Sequence, residues 1–374
     1  MSATKPGRLG YLDWLRGLTV LIMIEAHTFD SWAQISERAR PAYGRLMLLG
    51  GMAAPLFLFL AGVAVALAGA SHLRRGRTIA EASRRVQRRG WQIFGYAFLF
   101  RLQSYVLGGL ASPWSLLKVD ILNVMGPSIA ATAAIWGSAV RRPVRAALLS
   151  AATLALLAGT PWIRQLPALA VLPDPIEAYL RPPPGAGTFT FLPWSGFVLA
   201  GGILGLALDG ASTSPWWRAG RLHAATALAG AALIALGVWA AGRPALLPGA
   251  HFWTTSPTFF SVRLGVMLLL VAASWLWEAR PWRVWRTSPT ELIGVGSLFV
   301  YWVHVELVYG FASRQIRHQL TLEQCAVAWA GFSLAMYALL LGWNASGPTR
   351  GWVKAETVKL INSAAWNQRS VFGR

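Results

Sequence analysis

Apolar windows of about 18 to 22 residues recur along the whole chain, each long enough to cross the hydrocarbon core of a bilayer. A segment in lipid must satisfy its own backbone hydrogen bonds, and successive windows of this length do so as helices. The chain is therefore read as all-α, a polytopic membrane helical bundle forming one integral-membrane domain over residues 1–374. Charged residues make up 13% of it, against roughly a quarter in soluble domains. Ten spans are expected, near residues 13–32, 46–70, 89–107, 118–138, 144–160, 191–209, 221–240, 259–277, 291–312 and 324–343. Arg16, Glu25 and His27 interrupt the first apolar stretch and no small-residue cleavage site follows it. It is expected to stay in place as a span rather than leave as a signal peptide.

Short basic segments separate the spans. HLRRGRT and SRRVQRRG make 71–90 a dense basic loop, RRPVR (141–145) is a second, and EARPWRVWR (278–286) is a third, with tryptophans suited to the interface. Prolines in 161–190 forbid a continuous helix there and mark an outer loop, while 349–374 forms a cytoplasmic tail. With the N-terminus in the cytoplasm, about 22 Lys and Arg lie on that side and about nine on the other. N-in, C-in is the expected topology, and the cell inner (plasma) membrane the expected location. The net charge of +20 is thereby topogenic, so the expected partner is the lipid bilayer and not nucleic acid. The single cysteine, Cys325, rules out a disulfide or thiolate metal site within the chain, and no metal is expected. The sequence carries no convincing internal repeat of the kind transporters show. The pattern from Gly201 to Gly205 reads as close helix packing. Homo-oligomerisation is left open.

Ionisable residues at membrane depth are costly and mark functional sites. The first span offers Asp13, Arg16, Glu25, His27 and Asp30. Arg101 and Gln103 fall in the third, Lys118, Asp120 and Asn123 open the fourth, Arg263 sits early in the eighth, and His304 and Glu306 lie in the ninth. All except Asp13 and Arg16 converge on the outer half of the bilayer. Arg16 and His27 are eleven residues apart. That is close to three helical turns, so they share a face about 16 Å apart along the axis. Asp30, one turn after His27, is spaced to orient the imidazole and raise its basicity, and it also fits a turn at the helix end. Glu25 points to another face, towards a neighbouring span. A set of His, carboxylate and Arg without cysteine supports acid–base chemistry or proton relay. The plain alternatives are interfacial anchors for Arg16, Arg101 and Arg263, and helix packing for His27. His72, His223 and His318 sit at loop edges and are expected in solvent.

LDWLRGLTVLIMIEAH, followed by GGMAAPLFLFLAGVAVALA, resembles the opening of bacterial members of the heparan-α-glucosaminide N-acetyltransferase catalytic-domain family. That family starts with a (V/L)DxxRG motif and a PxFxFxxG second span. LLKVDILNVMGPSI (116–129), LPWSGFVLAGGILG (192–205) and YWVHVEL (301–307) are further points of similarity, firmest over 8–130. The spacing of Arg16 and His27 also resembles the first-helix motif of the wider integral-membrane acyltransferases, where the Arg is associated with CoA phosphate and the His with acyl transfer. The resemblance implies an acyltransferase without a bound cofactor. It would move an acyl group, expected to be acetyl, from cytoplasmic acyl-CoA to a hydroxyl or amine of a carbohydrate or small-molecule acceptor outside.

The animal members place their proposed acetylated histidine in the loop after the first span, and that loop here, AQISERARPAYGR, has none. The analogy moves the catalytic role to His27, with His304, which aligns with a late-span histidine of the family, as second candidate and Asp30 or Glu25 tuning His27. Arg16 and Asp13 are the expected cosubstrate residues, and Arg101, Asp120, Asn123, Arg263 and Glu306 the acceptor side. A proton-coupled transporter and a non-catalytic membrane scaffold remain the alternatives.

Overall fold

The computed structural model describes residues 9–108, 112–182, 189–211, 216–245, 247–279 and 288–346. These form thirteen α-helices and no strand. The first half holds α1 (Gly10–Trp32), α2 (Pro41–Gly50), α3 (Ala53–Arg74), α4 (Ile79–Leu107), α5 (Ile121–Gly137) and α6 (Arg142–Gln165). A single turn, α7 (Asp174–Glu177), precedes α8 (Phe191–Ala211), α9 (Trp216–Ala241) and α10 (Pro257–Glu278). The last three are α11 (Pro289–Val295), α12 (Ser297–Tyr309) and α13 (Leu322–Ala345).

Seven of the described helices are long and apolar enough to cross a membrane, eight if the bent pair α11 and α12 is one span. The expected count of ten also needs α1 and α4. Both have the length, 23 and 29 residues, but their charged and polar residues keep them below that apolar threshold. Residues 280–287 and 347–374, with the third basic segment and the tail, lie outside the described residues.

Three boundaries differ from the sequence reading. The expected span 46–70 is two helices meeting at Gly51, with α3 reaching Arg74. The expected loop at 71–90 is mostly helix, because α4 begins at Ile79 and carries Arg84, Arg85, Arg88 and Arg89 on its first turns. Thr78 and Glu81 close that start as a capping box, which satisfies two end amides; the bonds from Thr78 hold the Glu81 carboxyl below its usual range. The expected continuous span 291–312 is broken, and α11 and α12 meet at 87° across Gly296. Close packing explains the break. A Cβ on Gly294 would fall 1.9 Å from the Asp13 carbonyl oxygen, and one on Gly296 2.5 Å from Leu340. The chain can pass between α1 and α13 there only without side chains.

The expected close packing at Gly201 and Gly205 is present. A Cβ on Gly201 would lie 1.9 Å from the Phe59 carbonyl oxygen, and one on Gly205 2.6 Å from that of Val63, so α8 lies backbone against backbone on α3. α1 is central, packing against α2, α3, α10, α11, α12 and α13. At one end of the bundle Asp209 takes Arg74 and Arg142. At the other, Arg101 meets Asp120. The first, with the arginines of α3, α4 and α6, is the basic end.

Candidate active site

α1 runs from the basic end to the far end of the bundle and carries Arg16 and His27 on one face. Both line a single cavity of about 1750 Å³. Pockets for drug-sized molecules are ~300–1,000 Å³, so this one has room for more than one such molecule.

Its lining changes along its length. Near the basic end stand His72 from the end of α3, Arg75 and Arg77 from the α3–α4 connection, and Arg85, Arg88 and Arg89 from α4. The middle is apolar, with Phe57, Ala61, Val65, Ile93, Leu122 and Met125. At the far end are His27, Asp30, Arg101, Lys118, Trp194, Arg263, Trp302 and Tyr309. Breaks in spanning helices recur at binding sites because irregular backbone is tolerated where it lines a cavity. The α11–α12 break obeys this rule, with Val295, Gly296 and Ser297 in the wall.

His27 and His304 form the chemical centre. His27 Nδ1 lies 3.0 Å from His304 Nε2, with the rings nearly parallel at 8°. His304 is fully buried, and its Nδ1 lies 2.7 Å from the Val300 carbonyl oxygen. A carbonyl only accepts, so His304 Nδ1 carries the hydrogen and the neutral ring offers its Nε2 as acceptor. His27 must then donate from Nδ1, which leaves its Nε2 lone pair free. Among the described residues that nitrogen has no partner, and the side chain faces the cavity. A fully buried histidine thus fixes the tautomer of a half-buried one that faces the cavity, as the orienting member of a catalytic triad does.

The remaining expected residues divide by position. Arg16 lines the cavity and donates to Asp13 at 3.0 Å. Asp13 is buried, is not part of the lining, and accepts from Arg16 behind it. Asp30 lies within α1 and acts on His27 through its charge, not through a hydrogen bond: its carboxylate accepts from the Tyr309 hydroxyl at 2.9 Å and sits 3.7 Å from Arg38. These partners outcompete the one-turn spacing, and the orienting role falls to His304. Glu25 is buried against Gly50, a residue of the cavity wall, with both oxygens unpartnered; it does not itself line the cavity and makes no hydrogen bond to His27.

Arg101 and Arg263 do line the cavity. Asp120, Asn123 and Glu306 stand behind its wall. Asp120 caps α5 through the Leu122 and Asn123 amides and lies 3.2 Å from Arg101. Asn123 accepts from the Asp120 amide at 3.0 Å and donates to Tyr179 at 3.2 Å. Glu306 has a carboxylate oxygen buried without a hydrogen-bond partner and faces the charge of Arg101. Two histidines expected in solvent are buried. His223 stacks on Trp275 with its Nε2 3.2 Å from the Tyr11 hydroxyl, and His72 lines the cavity.

Sequence reasoning missed Tyr309 and the α4 arginines. Arg85, Arg88, Gln92, Tyr96 and Leu99 all line the cavity, at spacings of three and four that place them on one helical face. That period was readable, but the density of charge masked it. For Tyr309 the sequence carries no such signal.

The model of the family described as heparan-alpha-glucosaminide N-acetyltransferase, catalytic, matches residues 8–244. That stretch holds Arg16, His27, the α4 arginines and Arg101, and ends before Arg263 and His304. No curated protein matches the chain.

Proposed function

The chain belongs to the heparan-α-glucosaminide N-acetyltransferase catalytic family, and on that premise we propose that it transfers an acetyl group across the membrane, from cytoplasmic acetyl-CoA to a sugar hydroxyl or amine on the outer side. The excess of Lys and Arg on one side puts the basic end in the cytoplasm. The CoA phosphates seat among the arginines of the α3–α4 connection and α4, since guanidinium forks match phosphate oxygens. The pantetheine arm follows the apolar middle of the cavity. Arg16 lies along this path, and His27 stands about 16 Å further on, where the thioester arrives.

The chemistry needs one base. His27 Nε2 takes the proton from the acceptor hydroxyl or amine as its oxygen or nitrogen attacks the thioester carbonyl. The tetrahedral intermediate collapses, the C–S bond breaks, and the imidazolium returns the proton to the departing CoA sulfur. His304 keeps His27 in the tautomer that can accept. The observation carrying this reading is that one cavity joins the arginine cluster to the free nitrogen of an oriented histidine.

The test uses protein purified in detergent with radiolabelled acetyl-CoA and a panel of amino sugars and glycosides. Release of CoA and labelling of the sugar are expected from the wild type, with both lost in His27→Ala. Full transfer by His27→Ala would remove the assignment. Uptake of a solute by proteoliposomes without any acetyl-CoA requirement would favour a transporter.

A further inference from the structure

The far end of the cavity holds more positive charge than its own wall answers. Arg101, Lys118 and Arg263 line it, and Asp30 is the one carboxylate that does. Asp30 is already engaged by Arg38 and Tyr309. Asp120 and Glu306 offset Arg101 from behind the wall. Arg263 and Lys118 have no ion pair among the described residues. Every Asp and Glu of the sequence except Glu356 lies within those residues, and the neighbouring segments 109–111 and 183–188 contain none.

Arg263 is the more telling of the two. It is one of the few charges inside an apolar helix, its Nε is buried without a partner, and its guanidinium rests on Phe259 at 4.1 Å and Trp194 at 5.7 Å. Ring faces offset only part of the cost of a cation at that depth. They also hold the fork in place. It stands close to the histidine as well: a Cβ on Gly51 would lie 3.8 Å from Arg263 Nη2, and one on neighbouring Gly50 2.5 Å from Ala26, the residue before His27, and 3.4 Å from a carboxylate oxygen of Glu25, which lies behind the wall and forms no ion pair with Arg263 among the described residues.

We propose that the acceptor carries an anionic group, a phosphate or a carboxylate, that seats on Arg263 with Lys118 and Arg101 while its hydroxyl or amine meets His27. This rests on the acyltransferase reading for the orientation of the two substrates, but the anion subsite is measurable without turnover. A fixed, partly desolvated guanidinium prefers a charged oxygen pair over a neutral hydroxyl, and losing a charge-assisted contact of this kind costs about tenfold or more in affinity.

The experiment measures thermal unfolding of the detergent-purified protein with glucose, glucosamine, glucuronate and glucosamine 6-phosphate, and then acetyl transfer to the same four. Stabilisation by glucuronate or glucosamine 6-phosphate, but not by the two neutral-oxygen sugars, supports the subsite. Which of the two acts identifies carboxylate or phosphate. Arg263→Gln is expected to raise the half-saturating concentration of that anion about tenfold or more. Lys118→Gln, at an exposed position, gives a smaller shift and serves if Arg263→Gln does not fold. Equal responses to charged and neutral sugars overturn the proposal. So does stabilisation by phosphatidylglycerol with no response to either sugar anion, because the site then takes a lipid headgroup. If the anion stabilises the protein but no acetyl-CoA is consumed with any sugar, the subsite stands and the acyltransferase reading fails.

Discussion

At the scale of single residues the account rests on which nitrogen of His27 holds its proton. Removing His304 leaves Nδ1–H without its acceptor, and the imidazole is then free to adopt the tautomer that cannot accept from Nε2. His304→Ala is expected to lower kcat about 10²- to 10⁴-fold while leaving the KM for acetyl-CoA nearly unchanged. Gln in the same place offers a carbonyl oxygen to His27 Nδ1–H, so His304→Gln should recover part of that loss. Steady-state CoA release from both variants checks this, and equal kcat for Ala and Gln would argue that His304 acts by packing alone. Arg16→Ala should show the opposite split, with a KM for acetyl-CoA raised about tenfold and kcat little changed. Both histidines and Arg16 were visible in the sequence as charges in apolar stretches. Their pairing was not, because positions 27 and 304 are brought together only by tertiary packing of α1 on α12. Asp30 shows the limit of local spacing: a carboxylate one turn from an imidazole found better partners in Arg38 and Tyr309.

At the scale of elements, glycines set how closely the helices that wall the cavity approach. Gly201→Val would drive side-chain carbons into the Phe59 carbonyl of α3, and overpacking of this kind costs about 1–3 kcal/mol. Gly331→Ala on α13 meets nothing within 4 Å and is expected to leave stability unchanged or slightly raised. Thermal unfolding in detergent separates the two, and an equal loss from both would mean that helix propensity, not the α3–α8 contact, sets the response. The Gly201–Gly205 spacing announced that contact in advance. The 87° break between α11 and α12 was not announced, because ELIGVGSLFVYWVHVEL is a continuous apolar run and hydropathy has no term for direction. The helical start of α4 was hidden for the opposite reason. Its arginines read as a loop by charge, although capped by Thr78 and Glu81 and spaced as a helix. Replacing Arg85 and Arg88 together with Gln should weaken acetyl-CoA binding and flatten its dependence on salt, since the Coulomb attraction to phosphates is the part that salt screens.

At the scale of the whole molecule the proposed transfer has a direction: donor at the basic end, acceptor at the far end. The single cysteine makes the orientation easy to read. Cys325 is buried and can be replaced by Ala, after which Val140→Cys at the basic end and Trp114→Cys at the far end are each exposed single thiols. In intact cells a membrane-impermeant maleimide should label the Trp114→Cys protein and spare the Val140→Cys protein. Acetyl groups, on the proposed function, enter from the arginine cluster and leave beside His27 on the other side. The most direct measurement of this route is transfer in sealed proteoliposomes sorted by that labelling. Radiolabelled acetyl-CoA is supplied on one face only and the sugar acceptor on the other. Labelled sugar should form only when acetyl-CoA is on the Val140 face, and not at all with His27→Ala. Transfer from either face alike, or transfer that survives His27→Ala, would contradict the account.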